Sequence, residues 1–336
     1  MGSSAKSPAH AAPAAFVEAF RGRAAADGTM TFATFMELAL YHPELGYYRR
    51  NRRRVGRAPG TDFYTATNSA PAFGELMAAA ATGLLGPDSA PRHTFVEIGA
   101  EPETGILKGK DLPFHSARTI GIGQPTALSG PLIVFSNELF DAQPFRRFVH
   151  LAGRWHERGV KLDGHNLVET TLEAKDLPAE LPAASAEGYV LDLPIAAREL
   201  MRTIVSQPWH GLLIACDYGK TWQELTTGLP AGTARAYHQH RQSNDLLARP
   251  GEQDLTCHIC WDWLCDELTR HGFENVRVQS QESFFIEHAG NYLREVITAE
   301  AGKFSAKKQS ITQLIHPTHL GQKFQVLHAR RPAGSG

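Results

Sequence analysis

Long hydrophobic runs are missing from this sequence. Nothing approaches the roughly 20 consecutive apolar residues that a membrane-spanning helix requires, so no membrane role is expected. An excess of either charge is missing too. Lys and Arg number 34 against 35 Asp and Glu, which leaves no global basic face to argue for nucleic acid. Cysteine is scarce: the 336 residues hold four, Cys216, Cys257, Cys260 and Cys265. They all lie in the C-terminal half and no apolar signal segment precedes them, a pattern that fits a reducing, cytoplasmic compartment. The Cys257–Cys260 pair, even with Cys265 and His271 nearby, lacks the second spaced pair of a closed zinc site. These residues read as buried apolar cysteines, and no metal is expected. Repeats and long linkers are lacking as well.

What is present is the composition of a folded protein, 42% hydrophobic and 21% charged, with an α/β pattern. Helical periodicity opens at 14–26 and again at Thr31–Tyr41, where Phe32, Phe35, Met36, Leu38 and Ala39 form an apolar stripe and Thr34 with Glu37 resembles a capping box. Residues 71–85 read as a third helix. Short apolar runs at 94–99, 118–122, 131–136 and 211–217 are the near-continuous hydrophobic strands of a buried parallel sheet. Segments 145–151, 154–162 and 166–173 alternate like an inserted antiparallel meander. Helices at 194–206, 260–271 and 291–301 and strands at 275–279 and 323–329 follow. The late strand pair suits a seven-stranded, mostly parallel sheet whose last strand runs antiparallel. The division expected is a disordered tail (1–13), an N-terminal helical region (14–85) and a core (86–330) carrying an insertion at about 145–192, with a short tail after it.

In an open parallel sheet, ligands bind beyond the carboxyl ends of the strands. Three of the apolar runs end there in polar residues: Glu97 before Gly99, Asn137-Glu138 followed by Asp141, and Asp217-Tyr218. Carboxylates gathered at three strand ends can hold a cationic or hydroxyl-bearing ligand. The arginine run from Arg49 to Arg57, flanked by Gly and Pro, reads as a solvated loop rather than a phosphate grip.

The stretches FMELALYHPELGYY (35–48), DFYT (62–65), FVEIGA (95–100), NELFDAQP (137–144), DYGK (217–220), GTARAYHQH (232–240) and PGEQDLTCH (250–258) occur in an order that resembles the MidA-like family, which includes the mitochondrial complex I assembly methyltransferase. The resemblance spans about residues 30 to 330. It implies a class I, Rossmann-like methyltransferase fold, S-adenosylmethionine as cofactor, and a protein side chain, arginine, as acceptor. It places Asp62, Thr65, Glu97, Gly99 and Glu138 at the cofactor. It places Asn137, Glu138, Asp141, His240 and His258 at the acceptor, where carboxylates would fork a guanidinium. Asp217, Tyr218, Arg235, Tyr237 and Asp254 fall on further motif positions.

The chain departs from the family where the cofactor loop reads E-x-G-x-G-x-G. Here Gly99 is followed by Ala100-Glu101-Pro102-Glu103, and 118–123 offers no carboxylate for a ribose. Glutamate resists positive φ, and proline removes an amide donor. The segment between Gly99 and Asn137 is also short, as if a helix and a strand were missing. Two readings follow: a protein-arginine methyltransferase, or an inactive relative that keeps the fold as a partner-binding module and holds no cofactor.

Overall fold

Four apolar runs form the parallel strands expected of them. The computed structural model describes residues 10–49, 72–100, 105–172, 176–302 and 305–334. In chain order, helices α1 (Ala14–Arg23), α2 (Phe32–Tyr41) and α3 (Phe73–Leu85) precede strands β1 (Thr94–Ile98), β2 (Ser116–Ile120) and β3 (Gly130–Asn137). An antiparallel insertion follows, made of β4 (Arg146–Leu151), β5 (Arg154–Asp163), β6 (Asn166–Leu172) and β7 (Val190–Leu193). The chain then runs through α4 (Ile195–Val205), β8 (Trp209–Asp217), a small antiparallel group β9 (Arg235–His238), β10 (Arg241–Ser243) and β11 (Asp254–Thr256), and α5 (Trp261–Arg270). It closes with β12 (Glu274–Ser280), α6 (Gln281–His288), α7 (Gly290–Ala299), α8 (Ala306–Ile315) and β13 (Gln325–Arg331).

The main sheet has the order β12-β13-β8-β3-β1-β2. Among the described residues it holds six strands rather than seven. The 121–129 segment joins β2 directly to β3 by turns, so the crossover that would carry another strand is absent. As expected, the final strand runs antiparallel, with Asp217 opposite Gln325 and Gly211 opposite Arg331.

Alternation along each strand splits its side chains between two apolar layers. Val96, Val134 and Leu213 pack with α4 and α5 on one face. Phe95, Ile133 and Ile214 pack with α3, α6, α7 and α8 on the other. A third cluster joins α1 and α2 to the inserted sheet and to Ala234, Ala236 and Leu255. Thr31, not Thr34, caps α2. Its hydroxyl accepts from the Thr34 amide at 3.1 Å, because Thr31 keeps the extended backbone that a cap needs while Thr34 already lies in the first turn. Within the stretch expected to be a disordered tail, His10–Ala11 adds an edge strand to β6. None of the helices among the described residues is long and apolar enough to cross a membrane.

Registers bring the carboxyl ends of the strands together. Ile98 lies opposite both Ile120 and Ser136, and Asn137 lies opposite Cys216. The site is built at that edge.

Candidate functional site

Two cavities meet at the edge. The larger, of ≈ 400 Å3, runs between α2 and the ends of β1 and β2, and its walls include Tyr41, Tyr48, Gly99, Ile120, Leu139 and Gln143. The smaller, of ≈ 130 Å3, lies beneath the β9–β11 group, with Asp141, Tyr218 and His258 among its walls. Glu138 lines both.

Glu138 earns that position through its backbone. With φ of 51° it occupies a left-handed conformation that few non-glycine residues adopt. Its amide donates to Cys216 O at 2.9 Å and its carboxylate accepts from Asn137 Nδ2 at 2.9 Å. Strain of this kind persists only where the surroundings over-determine it. The determinant here is Asp217, fully buried at the end of β8. Its carboxylate accepts the Phe140 amide at 2.9 Å and its own neighbour Tyr218's amide at 2.8 Å, so the turn after β3 is folded around it. Asp217 is therefore a builder of the site: it does not line either cavity.

The small cavity owes its lining to period two. Thr233, Arg235 and Tyr237 face it from one side of β9 and the residues just before it, while Ala234 and Ala236 turn into the core. Asp254, Thr256 and His258 alternate into it from β11 in the same way, with Arg235 opposite Thr256 and Tyr237 opposite Asp254. Asp192, at the end of β7, anchors this group. It accepts from the Thr233 and Ala234 amides at 2.7 and 2.8 Å and pairs with Arg147 at 2.5 Å.

Burial sets the electrostatics. It pushes the Glu138 carboxyl up to about 8, with the Asp217 and Asp254 charges adding, and raises Asp141 well above the carboxylate range. Asp217 rises to about 7 against the amides it accepts. His258 is held down to about 4 by burial and by Lys220 and Arg235, so its ring is neutral at neutral pH. Asn137 Oδ1, Asp141 Oδ1 and His258 Nδ1 are buried without a partner. Two of these residues line the small cavity. Buried polar atoms are rarely left unpaired, and each unpaired one costs stability. Of the three, Asp141 Oδ1 and His258 Nδ1 belong to residues that face the small cavity and leave hydrogen-bonding capacity there.

Sequence reasoning and structure part company at His240, Glu97 and Asn137, the last of which ends β3 yet lines neither cavity. His240 is exposed and stands outside both cavities. Gln239 and His240 have φ of 47° and 62° and form the two-residue turn between β9 and β10. The period-two logic of β9 stops before them, which puts His240 beyond the pocket. Glu97, buried inside β1, does not line the larger cavity. Its carboxylate accepts the Ile106 amide at 2.8 Å, and burial raises it to about 7. Asp62 and Thr65 lie outside the described residues, as do Arg50–Arg57 and Glu101–Glu103. Conversely, Tyr41, Tyr48 and Asp192 were not singled out. An Asp inside the apolar run 190–193 is the available signal for the last. For the tyrosines it is their place on either side of the helix-ending Pro43, Tyr41 two residues before it and Tyr48 five after.

The residues present fit an adenosyl cofactor in part. Gly99, at φ of 86°, leaves a hollow that a Cβ would fill at 2.9 Å from Leu139 Cδ1. Ile98, Ile120 and Ile122 supply apolar wall. At the end of β2, where a ribose would sit, Gly121 follows Ile120, and the cavity's carboxylates are Glu37 from α2 and Glu138.

A family model described as "Putative S-adenosyl-L-methionine-dependent methyltransferase" matches residues 122–277. The chain is similar to protein arginine methyltransferase NDUFAF7, mitochondrial, of Danio rerio, at 26% identity over 92% of this chain and 86% of that one. It is also similar to a Burkholderia thailandensis protein crystallised with S-adenosyl-homocysteine. That match has a TM-score of 0.81 and 25% identity, over 94% of this chain and 92% of the other. A second structure from that organism, of an uncharacterized protein, superposes with a TM-score of 0.77 at 24% identity over 94% and 91% of the two chains.

Proposed function

We propose that the chain, similar as it is to MidA-like S-adenosylmethionine-dependent methyltransferases, methylates a guanidinium nitrogen of a protein arginine. The observation that carries this reading is Asp141. It is a carboxylate 3% exposed whose Oδ1 has no partner, facing a small cavity shared with Glu138 and Asp254. Carboxylates buried together without a cation are costly, and a planar fork of N–H donors satisfies them.

When bound, S-adenosylmethionine supplies a sulfonium-activated methyl group for in-line displacement. The larger cavity would hold it, with Gly99 admitting close approach and Glu138 standing where the two spaces join. The chain's own residues do the rest. Asp141 and Glu138 accept the guanidinium's N–H groups and fix one nitrogen toward the shared wall. Alignment of this kind supplies much of the acceleration in a displacement needing little acid–base power. The proton lost from the methylated nitrogen passes to Asp141 Oδ1. The Tyr41–Tyr48 stack, ring centroids 5.5 Å apart, walls the cleft on the α2 side and keeps water from the charges inside.

Calorimetric titration with S-adenosylmethionine tests the cofactor half of this reading. At 100 times its dissociation constant the cofactor should stabilise the fold by about 2.7 kcal/mol, read as a shift of several degrees in melting temperature. No heat and no shift at millimolar cofactor would reject it and turn the protein into a partner-binding module. Asp141→Asn tests the acceptor half: it should weaken acceptor binding whether or not cofactor is present.

A further inference from the structure

The acceptor cavity contains one positive charge among its acids. Arg235 projects from β9 between Thr233 and Tyr237, and it is half-buried, whereas Asp141 and Asp254 are only 3% and 4% exposed. An arginine placed to neutralise those acids would pair with one of them. Arg235 does not: its Nη1 donates to the carbonyls of Ala234 and Gly232 at 2.6 and 3.5 Å, and it has no carboxylate partner among the described residues. Asp254 is occupied elsewhere, accepting from the Tyr48 hydroxyl at 2.8 Å and the Leu255 amide at 2.9 Å. The cavity is thus acidic at its floor, where Asp141 Oδ1 waits unpartnered, and basic toward its mouth. A plain cation would satisfy the floor and be opposed at the mouth. A ligand carrying both charges matches both.

We propose that Arg235 is a specificity residue, which selects acceptors bearing a carboxylate close to the guanidinium that is methylated. The proposal rests on the guanidinium reading of the cavity. It adds that the acceptor is zwitterionic, the cation on Glu138 and Asp141 and the anion against the free edge of the Arg235 guanidinium. At ≈ 130 Å3 the cavity has room for one side chain's head group, so the anion belongs to the same residue or its immediate neighbour.

The test is calorimetry on the whole protein with Nα-acetyl-arginine and Nα-acetyl-arginine amide, which differ only in the carboxylate. The native protein should bind the acid roughly tenfold more tightly, the scale of one charge-assisted hydrogen bond. Arg235→Gln should bring that ratio to about one, and Arg235→Lys should keep part of it, since lysine retains the charge without the fork. Using the ratio within each variant removes any general loss of folding. A second pair, the capped dipeptides Arg-Asp and Arg-Asn, locates the anion. A preference within this pair assigns it to a neighbouring residue of a polypeptide, and a preference within the first pair alone assigns it to the acceptor's own α-carboxylate. Equal affinities in both pairs, or a ratio untouched by Arg235→Gln, overturn the role of Arg235 and leave the guanidinium reading standing. Binding of none of the four compounds overturns the guanidinium reading itself, and this proposal with it.

Discussion

Tyr48 and Asp254 meet across 206 residues of chain: the tyrosine hydroxyl donates to Asp254 Oδ1 at 2.8 Å. One belongs to the wall of the larger cavity and the other to the smaller. Their bond ties the N-terminal region to the smaller cavity. Tyr48→Phe leaves the ring stack and removes the donor from a buried acid. The loss should be about 1–3 kcal/mol, measured by urea denaturation, with weaker acceptor binding in the same variant. Unchanged stability would mean that Asp254 finds an equal donor elsewhere.

Stability should fall with rising pH because of Glu138. Burial raises its folded-state value to about 8, above the ordinary 4.5, so the folded protein binds the extra proton between those values. Unfolding is then progressively favoured as pH rises through the window. The contribution is fully present below pH 4.5 and lost above about 8. Urea midpoints of the native protein and Glu138→Gln should agree near pH 5 and diverge by pH 9, with the variant the more stable. Parallel curves would refute the assignment. A cationic acceptor reverses the trend, so its affinity should rise over the same range.

Asp217→Ala should cost about 3 kcal/mol, since it strands the Phe140 and Tyr218 amides in the interior. The deficit would be read in urea unfolding. The lesion is structural: both cavities lose the turn that carries Glu138, so cofactor and acceptor binding should weaken together.

Gly99→Ala meets Leu139 Cδ1 at 2.9 Å and forces alanine to φ of 86°. About 1–2 kcal/mol of strain follows, with a matching loss of cofactor affinity by calorimetry. A variant that melts as the native protein does and binds cofactor as well would show that the hollow beside Gly99 is not used.

The framework was legible because it is written in apolar periodicity. The runs around Val96, Val134 and Leu213 could only be buried strands, and the stripe from Phe32 to Ala39 could only be a helix face. What escaped is written otherwise. Helix α6 (Gln281–His288) carries Phe284 and Phe285 side by side among polar residues, which shows neither period; tertiary packing makes it a helix. The β9–β10 turn uses Gln239 and His240 at positive φ, where glycine or asparagine would have announced it, so only the motif resemblance speaks for His240. Glu97 sits at a strand end as a site residue would, yet the pleat turns it to the Ile106 amide. Gly99, Glu138, Asp141 and His258 could be placed at the cleft from strand-end logic and motif resemblance together. The pairing of Tyr48 with Asp254 could not, because nothing in a sequence records a contact made over 206 residues.

The open edge of the main sheet matters most before any binding, in the crowded state in which chains meet before they are fully folded. Among the described residues the sheet stops at β2, and the outer side of Ser116–Ile120 is a row of main-chain groups that another molecule's strand could extend. Three of its five residues, Ala117, Arg118 and Thr119, are exposed. The guard is Arg118, whose guanidinium donates to Ala127 O at 2.6 Å and lays a charge along the open edge. Charged residues at such positions discourage strand addition. Among the described residues the edge thus depends on one charged side chain, and aggregation rather than catalysis is where its loss should first be felt.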